Sequence, residues 1–103
     1  SLRVPTPNVS CVDLTVEVAK ETDIAGINAA LSKAARASGG VLEIEARPLV
    51  SVDFNHTAAS STVALDQTHV QNGTLVRILS WYDNEWGFSN RMLDTALAMA
   101  NAK

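Results

Sequence analysis

The chain has 103 residues, 47% of them hydrophobic, with 8 basic and 11 acidic side chains giving a net charge of −3. That length supports one modest domain, and the charges are dispersed, so neither nucleic acid nor an anionic membrane is an expected partner. No apolar run approaches a membrane span, and no Cys/His cluster offers a zinc site. The single cysteine, Cys11, excludes an internal disulfide and fits a reducing cytoplasm. The chain opens on Ser1-Leu2-Arg3-Val4 without an initiating Met, which reads as a piece of something longer.

Arg3-Val4-Pro5-Thr6-Pro7-Asn8 is expected to be extended, because each proline fixes its own φ and biases its predecessor away from the helix. From Val9 to Val18 apolar and polar residues alternate, with Val12, Leu14, Val16 and Val18 on one face, as in a half-buried strand. Thr22 or Asp23 then caps a helix whose apolar positions are Ile24, Ile27, Leu31, Ala34 and Ala35. Lys33 and Arg36 suit the negative end of its dipole, and Gly39-Gly40 stops it.

Leu49 to Phe54 reads as a second strand with Val50, Val52 and Phe54 on one face, and Ser61 to Leu65 as a third. Thr68–Gln71 and Thr74–Trp81 flank Asn72-Gly73, a dipeptide that favours the positive φ angles of a hairpin turn. Met92, Leu93, Ala96, Leu97 and Ala100 mark a final helix capped near Ser89 or Asn90. The order β-α-β-β-β-β-α gives an α+β class, a mostly antiparallel or mixed sheet with two helices on it.

The richest stretch is Ser80-Trp81-Tyr82-Asp83-Asn84-Glu85-Trp86-Gly87-Phe88-Ser89-Asn90, which holds both tryptophans, the only tyrosine and one of two phenylalanines. Buried indole and phenol groups need partners, so the run reads as a fitted surface where a strand leaves the core. Within it Asn84 presents a donor and an acceptor in one plane, suited either to reading another amide or to closing a loop. Asp83 and Glu85 are better explained as caps or salt links than as a catalytic pair. Arg3, in its proline-stiffened segment, can offer its guanidinium fork to a phosphate or carboxylate, or to an interdomain salt bridge.

Cys11 lies inside a strand pattern and reads as a packing residue rather than a nucleophile. His56, in a loop, and His69, on a hairpin strand, read as surface residues rather than general bases. The five glycines fit neither a dinucleotide fingerprint nor a P-loop. By chemistry alone the chain lacks a complete active site.

Arg3-Val4-Pro5-Thr6-Pro7-Asn8-Val9-Ser10 with Val12-Asp13-Leu14-Thr15-Val16, and the run Ser80 to Arg91, resemble the catalytic domain of phosphorylating glyceraldehyde-3-phosphate dehydrogenases. Pro48 to Asn55 and Ser60-Ser61-Thr62-Val63 match in order and spacing, so the resemblance covers essentially the whole chain. It implies that Arg3 helps to bind substrate phosphate, that Asn84 contacts the nicotinamide carboxamide of NAD, and that Phe88 lies beside the nicotinamide. Tyr82 would fall near the catalytic centre, with no catalytic residue in the chain itself.

The resemblance further implies an NAD-binding domain, a nucleophilic cysteine and its histidine, all lying before Ser1 and absent from this chain. In such enzymes a thiolate attacks the aldehyde, hydride passes to NAD, and inorganic phosphate converts the thioester to an acyl phosphate. Two departures stand out. Cys11 occupies a strand position where the family often has valine, and Thr57-Ala58-Ala59 replaces a more polar loop.

An erythrose-4-phosphate dehydrogenase is the rival within the enzymes, with Tyr82 and Ser89 favouring glyceraldehyde 3-phosphate. A non-catalytic assembly module is the rival outside them. The apolar strand Leu75–Trp81, and Met92 and Met99 on the last helix, suggest missing cover, so self-association is expected of this chain, while the resemblance implies a homotetrameric parent.

Overall fold

Residues 3–102 are described by a computed structural model of the chain. Alternating residues form β1 (Ser10–Glu17), and α1 (Ile24–Ala37) follows, capped by Asp23, whose side chain accepts from Gly26 N at 2.7 Å. The helix ends before Gly39 and Gly40, both at positive φ, where Ser38 Oγ bonds Ala35 O behind it and Leu42 N and O ahead. Then come β2 (Leu42–Glu45), a 3₁₀ turn (Ser51–Phe54), β3 (Ser61–Ala64), a second 3₁₀ turn (Leu65–Gln67), β4 (His69–Gln71), β5 (Leu75–Tyr82) and α2 (Trp86–Asn101). Among the described residues no helix is long and apolar enough to cross a membrane.

β5 is the axis of a five-stranded mixed sheet. Along one edge it pairs antiparallel with all of β1; along the other it pairs antiparallel first with β4 and then with β3. β2 lies outside β3 and parallel to it, so the expected α+β class with a mixed sheet is observed. Asn72 and Gly73 turn β4 into β5 at φ 53° and 74°, the positive angles that the dipeptide was expected to adopt.

The strand expected over Leu49–Phe54 is not one. Asp53 Oδ2 accepts from Val50 N at 2.9 Å while Asp53 N donates to Val50 O at 3.0 Å, a local bonding scheme that competes with a sheet ladder and winds the segment into a 3₁₀ turn. Only Phe54 of its expected apolar face is buried; Val50 and Val52 stand in solvent. The second strand is instead Leu42–Glu45, whose four residues are too few for alternation to declare them. The final helix begins at Trp86, ahead of the expected Ser89 or Asn90, whose side chains bond back to Glu85 O and Trp86 O within the helix.

The core is small: Val9, Phe54, Ala59, Val63, Ala64 and Val76, with Thr62, Thr68 and Asp83 as buried polar residues. Phe54 stacks on Trp81 at 5.7 Å between centroids. Outside that core much apolar surface is only half-buried or exposed. β1 exposes Val12 and Leu14, α1 buries no residue, and α2 buries only Gly87. The radius of gyration, 15.2 Å, exceeds the roughly 13 Å of a compact domain this long.

Candidate functional site

The β1–β5 register places Ser10 opposite Tyr82. Residues just before β1 therefore meet residues just after β5, and that meeting builds the site. Asp83, the first residue past β5, is 2% exposed and accepts four hydrogen bonds. Its Oδ1 takes Glu85 N at 3.1 Å and Trp86 N at 2.7 Å, starting α2; its Oδ2 takes Asn8 Nδ2 at 2.8 Å and His56 N at 2.9 Å. Burial raises the Asp83 pKa, but the donors from Trp86, His56, Asn8 and Glu85 together outweigh it and hold the carboxyl below its ordinary value. The residue is a buried structural anion and a helix cap, as its capping reading anticipated.

Asn84 stands on this foundation. Its Oδ1 accepts from Ser10 Oγ at 2.6 Å, and its Nδ2 donates to Asn8 Oδ1 at 3.1 Å. Asn8 Nδ2 also donates to Asn55 Oδ1 at 2.8 Å. An amide has two donor and two acceptor positions, so Asn84, itself exposed, retains one of each for a ligand. Two residues of this knot's frame have left-handed backbone, Val9 at φ 72° and His56 at φ 60°. For β-branched Val9 that costs on the order of 1–3 kcal/mol, held by its burial between Asn8 and Ser10.

The aromatic run divides around Asp83. Trp81 packs inward on Phe54, and Tyr82 is half-buried at the strand end. Trp86 lies against His56 at 5.2 Å between ring centroids, and Phe88 projects from the first turn of α2 with 65% of its surface exposed. Gly87 lets that turn approach the loop before β3, since a Cβ there would lie 2.8 Å from Ala59 O.

Among the described residues, the side chains of the other candidates make no hydrogen bond to this cluster. Arg3 is exposed and, among the described residues, joins no ion pair. Cys11 is exposed on β1; burial first and then Asp13 raise its thiol pKa, with Arg77 opposing, which does not suit a nucleophile. Asp13 itself is clasped across the sheet by Arg77, through Nε and Nη2 at 2.7 and 2.8 Å. His69 is exposed on β4. Two shallow hollows, one beside Asp23 and Gly73 and one beside His69 and Arg77, include none of Arg3, Tyr82, Asn84 or Phe88.

Sequence reasoning missed Asn8, Ser10 and Asn55. Asn8 and Ser10 bracket the start of β1 and Asn55 follows the 3₁₀ turn, so only the β1–β5 register and the misread turn bring them to Asn84. A signal did exist in Asp83, since an Asp shortly before a helix start commonly bonds the backbone N–H groups two and three residues on.

A family model described as glyceraldehyde 3-phosphate dehydrogenase, C-terminal domain, matches residues 1–84. The chain is similar to proteins named glyceraldehyde-3-phosphate dehydrogenase from three bacteria. In Cereibacter sphaeroides the identity is 59% over 100 residues, covering 96% of this chain and 30% of the relative. In Xanthobacter flavus it is 58% over the same shares, and the chromosomal protein of Cupriavidus necator is 55% identical over 104 residues, covering 100% of this chain and 31% of its own. The chain thus spans about a third of the length of the relatives it matches.

Proposed function

The chain belongs to the family of glyceraldehyde 3-phosphate dehydrogenase C-terminal domains, and from that premise we propose that it forms the C-terminal portion of the catalytic domain in an NAD-dependent, phosphorylating glyceraldehyde-3-phosphate dehydrogenase. The observation that carries the reading is Asn84, an exposed amide held from both ends, with a donor and an acceptor to spare and the exposed ring of Phe88 on the next helix turn. A carboxamide on a flat heteroaromatic ring is a ligand of matching chemistry, so these residues fit the nicotinamide end of NAD. When bound, the dinucleotide supplies the hydride acceptor.

The chain's own residues orient and enclose. Asn84 bonds the carboxamide, Phe88 offers an apolar wall beside the ring, and Tyr82 faces the catalytic centre. Arg3 binds the phosphate of the aldose with its guanidinium fork. Nucleophile, base and the rest of the dinucleotide site come from the two thirds of the relatives' length that this chain does not span. Without them the chain is inactive alone. The exposed apolar residues of β1 and α2 support self-association of the chain, the parent is taken as a homotetramer, and the exposed thiol suits a reducing cytoplasm.

Assay of the whole protein carrying these residues, with glyceraldehyde 3-phosphate, NAD and inorganic phosphate, tests the reading. Turnover is expected, with Arg3→Ala raising the KM for the aldose phosphate about tenfold or more. A clear preference for erythrose 4-phosphate, or an unchanged KM in the variant, would overturn it.

A further inference from the structure

A carboxylate can only accept hydrogen bonds, so it fixes the sense of any amide bonded to it. The contact between Asp83 Oδ2 and Asn8, at 2.8 Å, must therefore come from Asn8 Nδ2, and Asn55 Oδ1 adds a second acceptor to that same end. Asn8 Oδ1 is thereby turned towards Asn84, and it can be met only by a donor, Asn84 Nδ2, at 3.1 Å. Oδ1 of Asn84 then faces Ser10 Oγ, a hydroxyl able to donate or accept, which donates at 2.6 Å. The series runs from a carboxylate that is 2% exposed to an amide in solvent. Reversing Asn84 would set like ends together at Asn8.

We propose that Asn8 is a positioning residue for the dinucleotide, passing the fixed polarity of Asp83 to Asn84 so that Asn84 meets the nicotinamide carboxamide in one of its two possible orientations. This deepens the reading of Asn84 given above and rests on it. Asn8 needs no contact with the ligand; it removes the wrong flip of the residue that has one. Freed of Asn8, Asn84 could swing off the ligand as well as flip, and with about a fifth of its population left competent binding weakens about fivefold. Ser10 cannot supply the discrimination itself, because its hydroxyl accommodates either end.

The test is a double-mutant cycle on the whole protein carrying these residues, reading the Kd for NAD by titration and the melting temperature alongside. Asn84→Ala is expected to weaken NAD about tenfold, and Asn8→Ala about fivefold, the scale of one or two hydrogen bonds. In the Asn84→Ala background, Asn8→Ala is expected to change the Kd less than twofold, because nothing remains to be oriented. A general structural role would move the Kd equally in both backgrounds, and that result, or no effect of Asn8→Ala with Asn84 intact, overturns the proposal. If Asn84→Ala alone leaves the Kd unchanged, the reading of Asn84 fails first. If Asn8→Ala melts too low to titrate, Asn8→Ser, a smaller truncation whose hydroxyl can hold a water beside Asp83 but is too short to bond Asn84, is expected to give the same coupling; equal losses in both backgrounds again overturn it.

Discussion

Asp83 and the helix it starts are neighbours in sequence and are held in opposite ways. Around Asp83 the carboxylate is met by Asn8, His56, Glu85 and Trp86, and Asn84 is held by Ser10 and Asn8. On α2, Met92, Leu93, Leu97 and Met99 stand in solvent, and Gly87 is the one buried residue of the helix. The knot is complete within this chain, whereas the helix face is apolar without an occupant here. Local hydrogen bonding can be specified by a few nearby residues. An apolar face has meaning only through what covers it, and the chain spans about a third of its relatives' length.

If that contrast is right, damage to the knot should cost far more than damage to the helix face. Asp83→Ala leaves four donors unmet and is expected to destabilise by about 3 kcal/mol or more, checked by denaturant unfolding. The same carboxylate should show in acid. Its pKa is lowered in the fold, so the folded state binds the proton less readily than the unfolded chain. Its contribution is complete above the ordinary carboxylate range, near about pH 4, and is lost as pH falls through the depressed value. Melting temperature followed against pH should fall on acidification, with a shallower fall in Asp83→Asn.

Gly87→Ala comes next. Its Cβ would sit 2.8 Å from Ala59 O, a backbone atom, so the first turn of α2 must shift, at about 1–3 kcal/mol by thermal melting. The smallest effect is expected on the bare face. Leu97→Gln, exposed in the chain alone, should change its stability by within about 0.5 kcal/mol, yet lower the proposed self-association in sedimentation. A loss of stability as large as that of Gly87→Ala would show that the face is already covered.

Much of the fold was legible because its signals are local. The alternation from Val12 to Val18, the Asp23 cap and Asn72-Gly73 each declare β1, α1 and the β4–β5 turn within a few residues. The segment Val50-Ser51-Val52-Asp53-Phe54 carries the same alternation and still winds into a turn, since one Asp53 side chain reaches Val50 N. Asn84 and Phe88 were singled out through a motif. Asn8, Ser10 and Asn55 were not, because no spacing rule joins residues brought together only by the β1–β5 register.

Asn84, exposed and held from behind, is proposed to read the carboxamide of NAD. A binding isotherm for NAD on the whole protein, wild type against Asn84→Ala, tests it most directly. About a tenfold rise in Kd with little change in melting temperature is expected. An unchanged Kd would contradict the claim and return the aromatic run to a purely structural part.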